Sequence, residues 1–292
     1  MFAIIGIIVV FGAVIGGYLM EKGNLLVLMQ PAELVIIAGA AIGTVLIGNP
    51  PHVLKQVLKG VVGAFSGPKF STQRYLDSLK LLFELFNRAR REGLGAVEAD
   101  IEEPEKSAIF KNFPNVVADH HVLDFICDTL RTAAAGAVEP FDIDQMMELD
   151  MDVHHHEATQ PVTALSTMAD ALPGLGIVAA VLGVVITMGS LGGPPEEIGH
   201  KVGAALVGTF LGILLCYGLL GPLAASMTKA VDEEKSYYHV LRVTMNSFIR
   251  GNPPILAVEL GRRAIPGHVR PAFKVVEGTC RNKGQAAAPA AA

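Results

Sequence analysis

The sequence predicts an all-α polytopic membrane protein: four transmembrane helices and a helical cytoplasmic domain. Three observations carry this. Two hydrophobic hairpins, residues 2–49 and 171–228, flank a charged block, residues 50–170. Of the 23 Lys and Arg residues, 11 fall between 51 and 169 and 10 follow 228, leaving only Lys22 and Lys201 in or beside the short turns. Outside the hairpins, apolar residues recur at helical spacing with no alternating strand pattern.

The hairpins set the crossings. Residues 2–20, 171–195 and 202–228 hold no charged side chain, and at 1.5 Å rise per residue each can span a hydrocarbon core of about 30 Å. Residues 31–47 are shorter and hold one charge, Glu33, near their start; they read as the return helix of the first hairpin. Lys and Arg are retained on the cytoplasmic side during insertion, and Lys55, Lys59, Lys229 and Lys235 flank the crossings. Both termini and most of the polar mass are therefore expected in the cytoplasm. The expected organisation is residues 1–50 as the first transmembrane hairpin, 51–169 as a cytoplasmic helical domain, 170–228 as the second hairpin and 229–292 as a cytoplasmic helix and tail.

Within the cytoplasmic part, residues 75–91 place Leu79, Leu82, Phe83 and Phe86 on one helical face, end at Gly93 and collect arginines in their last turns, which suits the helix dipole. Residues 98–105 read as an acidic, proline-marked turn. Further helices are expected at about 114–135, from about 139 into the third crossing, and at 223–250, closed by Gly251-Asn252-Pro253-Pro254. The alanine-rich tail 285–292 reads as disordered.

Composition excludes several classes. Mean hydropathy is +0.45 and Trp is absent, unlike a water-soluble enzyme. The net charge of −5 is spread along the chain, with no basic tract suited to nucleic acid. Cys127, Cys216 and Cys280 are isolated and odd in number, so no disulfide framework is implied. No nucleophile–base pairing, phosphate-cradling loop or metal-ligand spacing occurs, so neither catalysis nor a cofactor is expected. His154-His155-His156 point in different directions on a helix and read as a solvated polar face, not a metal site.

The crossings are rich in small residues: Gly12/Gly16, Gly39/Gly43 and Gly208/Gly212 each sit four apart, and Gly176, Ala180 and Gly183 share one face. Such faces let backbones approach, either within one subunit or between subunits. No Asp, Glu, Lys, Arg or His lies inside the first, third or fourth crossing. Ion pathways nearly always need an ionisable group at depth, so any ion path needs a carboxyl from another chain. This chain offers hydroxyls: Thr187, Ser190, Thr209 and Tyr217. Thr209 is expected to bond back to its own helix. Pro173 and Pro222, each beside a glycine, read as a matched pair of pliable joints at one depth near the cytoplasmic boundary. Arg90 and Glu98 bracket an exposed helix tip, either solvated or forming a charged docking surface.

The stretches Gly16-Gly17-Tyr18-Leu19-Met20, Gln30-Pro31-Ala32-Glu33-Leu34-Val35-Ile36-Ile37-Ala38-Gly39-Ala40, the Arg90/Gly93/Glu98 pattern, Leu172-Pro173, Gly176-Ile177-Val178-Ala179-Ala180-Val181, Val207-Gly208-Thr209-Phe210-Leu211-Gly212-Ile213-Leu214 and Pro253-Pro254-Ile255 together resemble the MotA stator family of the bacterial flagellar motor, over almost the whole chain. The resemblance implies an inner-membrane stator subunit in a homo-oligomer, five copies around a MotB dimer that supplies the channel aspartate and the peptidoglycan anchor. It implies that Arg90 and Glu98 engage the rotor protein FliG, that Pro173 and Pro222 couple proton passage to movement, and that Ala180 and Thr209 face the channel aspartate. His154–His156 and the tail have no counterpart in it, Asp150 stands where relatives can carry glutamate, and Leu256 shifts the closing segment by one residue. Sodium-driven relatives carry threonine at the position of Ala180, which implies proton coupling. The alternatives are an ExbB/TolQ-type energiser, disfavoured by the residue 31–47 crossing because those relatives have three crossings, a sodium-driven stator, and a self-contained channel, which lacks the buried ionisable groups it would need.

Overall fold

The computed structural model describes residues 2–67, 69–189 and 192–281, and these contain helices and turns without a strand. In order they are α1 (Phe2–Met20), α2 (Leu25–Leu28), α3 (Pro31–Gly48), α4 (Pro51–Gly63), α5 (Thr72–Glu92), α6 (Glu98–Glu102), α7 (Pro114–Val117), α8 (His120–Ala134), α9 (Pro140–Met188), α10 (Pro195–Leu215), α11 (Gly221–Ile249), α12 (Pro254–Ala264) and α13 (Phe273–Arg281). Four helical stretches are long and apolar enough to cross a membrane: Phe2–Met20, Leu25–Gly48, and parts of Pro140–Met188 and Pro195–Ile249. Ser190 and the tail lie outside the described residues.

The chain divides into two compact units, residues 1–67 with 157–231 and residues 68–156 with 232–292. The continuous helices α9 and α11 each contribute to both.

In the apolar unit, prolines start the helices: Pro31, Pro51 and Pro195 occupy first-turn positions where a missing N–H costs nothing. Glu196 and Glu197 follow Pro195 at the positive end of the α10 dipole. Ile37 and Ala41 of α3 pack with Ala169, Leu172, Ala179 and Cys216. Val162 and Leu165 of α9 pack with Leu223, Ala224 and Met227 of α11, and Val57 and Val61 of α4 lie against this second cluster. No residue of α1 is buried, and Phe2, Ile8 and Val9 lie open.

The polar unit has a conventional core. Ser71 caps α5 by accepting from the Arg74 N–H at 3.4 Å, and the helix stops at Gly93, whose φ of +90° suits glycine alone. Tyr75, Leu79, Leu82 and Phe86 of α5 are buried with Ile126 and Leu130 of α8, Tyr237, Leu241 and Met245 of α11 and Val258 of α12. Phe86 stacks on Phe248 with centroids 4.1 Å apart, and Ser78 hydrogen-bonds the Tyr237 hydroxyl. Arg74 pairs with Asp119 at 2.6 Å, and Arg242 with Asp144 at 2.7 Å and Glu148 at 3.3 Å.

Two details differ from expectation. The acidic segment after Gly93 is not merely a turn: Leu94–Val97 forms a 3₁₀ turn and Glu98 opens α6, because Arg88 reaches Asp100 at 2.6 Å and Ser107 donates to the same carboxylate at 2.6 Å. The helix expected at 114–135 breaks into α7 and α8 around Ala118 and Asp119, where Asp119 is drawn into ion pairs with Arg74 and Lys69.

Candidate ion-path site

The site is built where α9 and α10 touch through small residues. A Cβ on Gly176 would lie 2.8 Å from the Gly208 carbonyl oxygen and 3.3 Å from Thr209 Cα, and one on Gly212 would lie 2.5 Å from the Leu172 carbonyl oxygen. A Cβ on Gly208 would meet Ala179 Cβ at 3.1 Å and Ala180 N at 3.2 Å. The Gly208/Gly212 pair and the Gly176 face are therefore used inside this chain. A Cβ on Gly12, Gly16, Gly39 or Gly43 would meet nothing from another element within 4 Å, so their faces are open.

Ala180 and Thr209 are brought to this contact, both half-buried. Thr187 and Thr228 donate to the carbonyl oxygens of Gly183 and Ala224, one turn back, at 2.8 and 3.1 Å. Thr209 forms no such bond among the described residues, against expectation. It sits beside the helix–helix contact with its hydroxyl uncommitted.

The prolines are not at one level. Gly212 faces Leu172, whereas Leu223 and Ala224 cluster with Val162 and Leu165. Pro222 therefore lies near Leu165, eight residues or about 12 Å of helix rise from Pro173. Its nearer counterpart is Pro161, which also stands inside α9 and which sequence reasoning passed over. Pro173 is carried within the continuous α9. Pro222 is preceded by a π-helical turn, Cys216–Leu220, where the Gly221 N–H donates to the Cys216 carbonyl oxygen five residues back. The widened turn accommodates a ring that cannot supply the usual hydrogen bond.

Glu33 is not an exposed charge at a helix start. It falls four and eight positions before Ile37 and Ala41, the buried stripe of α3, and is itself only 7% exposed. That i, i+4, i+8 spacing was the signal available in the sequence.

In the polar unit, Arg90 and Glu98 are both exposed, on either side of the Gly93 turn, with no ion pair among the described residues. Their neighbours Arg88 and Asp100 are paired instead. His154 is not part of a solvated face. Its ring packs 5.2 Å from His121 and 4.9 Å from Tyr238, and its Nε2 lies 3.7 Å from Glu234 Oε1, because α9 turns this position toward α8 and α11. Contact with Glu234 raises its pKa against the opposing effect of burial. Cys127 and Cys280 are buried, their thiols pushed up to about 12 by desolvation, and are inert.

Comparison with known proteins now adds a decisive match. Over 277 residues, 95% of this chain and 94% of the relative, the sequence is 42% identical to Motility protein A of Escherichia coli (strain K12). The chain belongs to the MotA/TolQ/ExbB proton channel family, in its MotA branch. Residues 4–93 match the Motility protein A N-terminal model and residues 118–239 the MotA/TolQ/ExbB proton channel model. The fold is shared with the C. jejuni MotAB structure (TM-score 0.74, 17% identity, 91% of this chain and 95% of that one). It is shared equally with the flagellar MotAB stator complex of Bacillus subtilis (TM-score 0.72, 24% identity, 94% and 98%). A MotA-family chain belongs to a proton channel family.

Proposed function

We propose that this chain is the stator subunit that, with a MotB-type partner, converts proton flow into torque on the flagellar rotor. The match to Motility protein A at 42% identity over 95% of the chain carries this reading, and the solved neighbours, both MotAB assemblies, support MotB as partner; two copies of it are part of the proposal. The chain sits in the bacterial inner membrane with four crossings. Residues 51–169 and 229–292 face the cytoplasm, as the Lys and Arg distribution favours, and residues 1–50 and 170–228 form the two hairpins. The open glycine faces of α1 and α3 suit a homo-oligomer, five copies around the dimer.

Ala180 and Thr209 face the partner's channel aspartate. Protonation there removes a charge held against a small-residue surface and changes the preferred register between ring and dimer. One charge crossing 100 mV supplies about 2.3 kcal/mol. Movement passes along α9 and α11, whose prolines 173 and 222 are the coupling joints, to Arg90 and Glu98, which engage FliG. Deleting the gene should abolish swimming with flagella still assembled, and plasmid-borne chain should restore it only alongside the partner. Swimming in the deletion strain would refute the assignment.

A further inference from the structure

Glu33 is a buried ionisable group of the apolar unit. It is only 7% exposed, and its Oε2 has no hydrogen-bond partner among the described residues. Two glycines make room for the carboxyl: a Cβ on Gly208 would fall 2.7 Å from Oε2, and one on Gly183 would fall 3.5 Å from Oε1. The carboxyl thus lies in a notch between α3, α9 and α10, next to the contact that holds Ala180 and Thr209. A carboxylate serving only to complement the α3 dipole would stay at the surface, in water.

Gly183 stands five residues, about 7.5 Å of rise, before the end of α9, so the notch opens toward the hairpin turns. From residue 171 onward α9 brings no titratable side chain, and α3 brings no other. The first two turns of α10 carry Glu196, Glu197, His200 and Lys201, with Lys201 paired to Glu197 at 2.8 Å; the turn after α1 carries Glu21 and Lys22. A carboxylate among Gly183, Ala205 and Gly208 is costly unless a cation pairs with it, and taking up a proton removes that cost.

We propose that Glu33 is a proton-binding station of the ion path, loaded on the turn side of the α9–α10 pair and unloaded toward the partner's carboxylate. An O–H bond forms at Oε2 with a proton taken from hydronium on the turn side, leaving water, and breaks as the proton passes on to the partner's carboxylate. The proposal rests on the reading of the chain as a proton-driven stator subunit.

The test uses the complex with its partner, reconstituted in vesicles, with proton uptake followed against the pH on the turn side. Glu33→Gln keeps the shape of the side chain and should lower flux several-fold while flattening the pH profile. Glu33→Asp should keep a profile with a displaced midpoint. Identical flux and profile in wild type and Glu33→Gln would overturn the proposal. Should Glu33→Gln fail to assemble, infrared difference spectra of the assembled wild-type and Glu33→Asp complexes decide. A pH-dependent protonated-carboxyl band that shifts in Glu33→Asp supports the station, and a band unmoved by it refutes it. Failure of the underlying stator reading looks different: wild-type flux would then follow sodium in the same vesicles.

Discussion

Arg90 and Glu98 illustrate what a single exposed side chain can and cannot do. Each lies in water at the Gly93 tip, and an exposed pair is worth at most about 1 kcal/mol, so single substitutions should slow swimming only mildly. Arg90→Glu combined with Glu98→Lys inverts the whole local field and should stop swimming at normal membrane levels, with partial recovery when the facing rotor charges are reversed. Full swimming by the double variant would exclude docking. His154 is a different case, because its charge is tied to a half-buried partner. Its folded pKa is raised, so its contribution is complete below about pH 6.5 and is lost as pH rises through the folded value. Glu234 is pushed up by burial but held below the ordinary carboxylate value overall by His154 and Lys69, so its contribution is present at neutral pH and is lost as pH falls. Unfolding profiles of the solubilised complex should therefore lose their neutral-side slope in His154→Gln, and labelled His154 should titrate above free histidine by NMR. A value below it would contradict the Glu234 contact.

At the scale of helices, periodicity and punctuation were easily read. Pro31 starts the return helix, Gly93 and Gly251 end helices at positive φ, and α5 spans nearly the stretch that its apolar spacing marked, whereas α4, opened by Pro51, and the start of α10 at Pro195 were not marked. What escaped were properties of contact between helices. The offset of Pro222 from Pro173 depends on which residue of α10 faces Leu172, and a sequence holds no such register. The freedom of the Thr209 hydroxyl and the burial of Glu33 depend on the same packing. The choice between packing within and between subunits also resolves by element: Gly208 and Gly212 are filled from within the chain, while Gly12 and Gly16 are not. Gly208→Ala should therefore sharply reduce recoverable complex, since its Cβ meets Glu33 Oε2, Ala179 and Ala180 together. Gly12→Leu should leave the isolated subunit's thermal stability unchanged and disturb only assembly, which cross-linking and native mass measurement would report. Unchanged assembly would assign the α1 face to lipid.

For the molecule as a whole, the proposed ion path argues for one coupling ion through what the helix pair offers. A sodium site needs several oxygen ligands around a dehydrated cation, while a proton needs one carboxyl and a path. Where α9 meets α10, α9 presents Gly176, Ala180 and Gly183, none with a side-chain oxygen, and α10 presents Thr209 alone. Glu33 adds a carboxyl, but among Gly183, Ala205 and Gly208 it lacks the companion ligands that sodium requires. Motor speed at fixed pH should accordingly be indifferent to replacing sodium with potassium and should fall in step with a protonophore titration. Replacing Ala180 by threonine adds one oxygen beside Thr209, too few for a sodium shell, so the variant should be slower and still proton-driven. Speed that followed sodium and ignored the protonophore would refute proton coupling and, with it, the argument from the scarcity of side-chain oxygens where α9 meets α10.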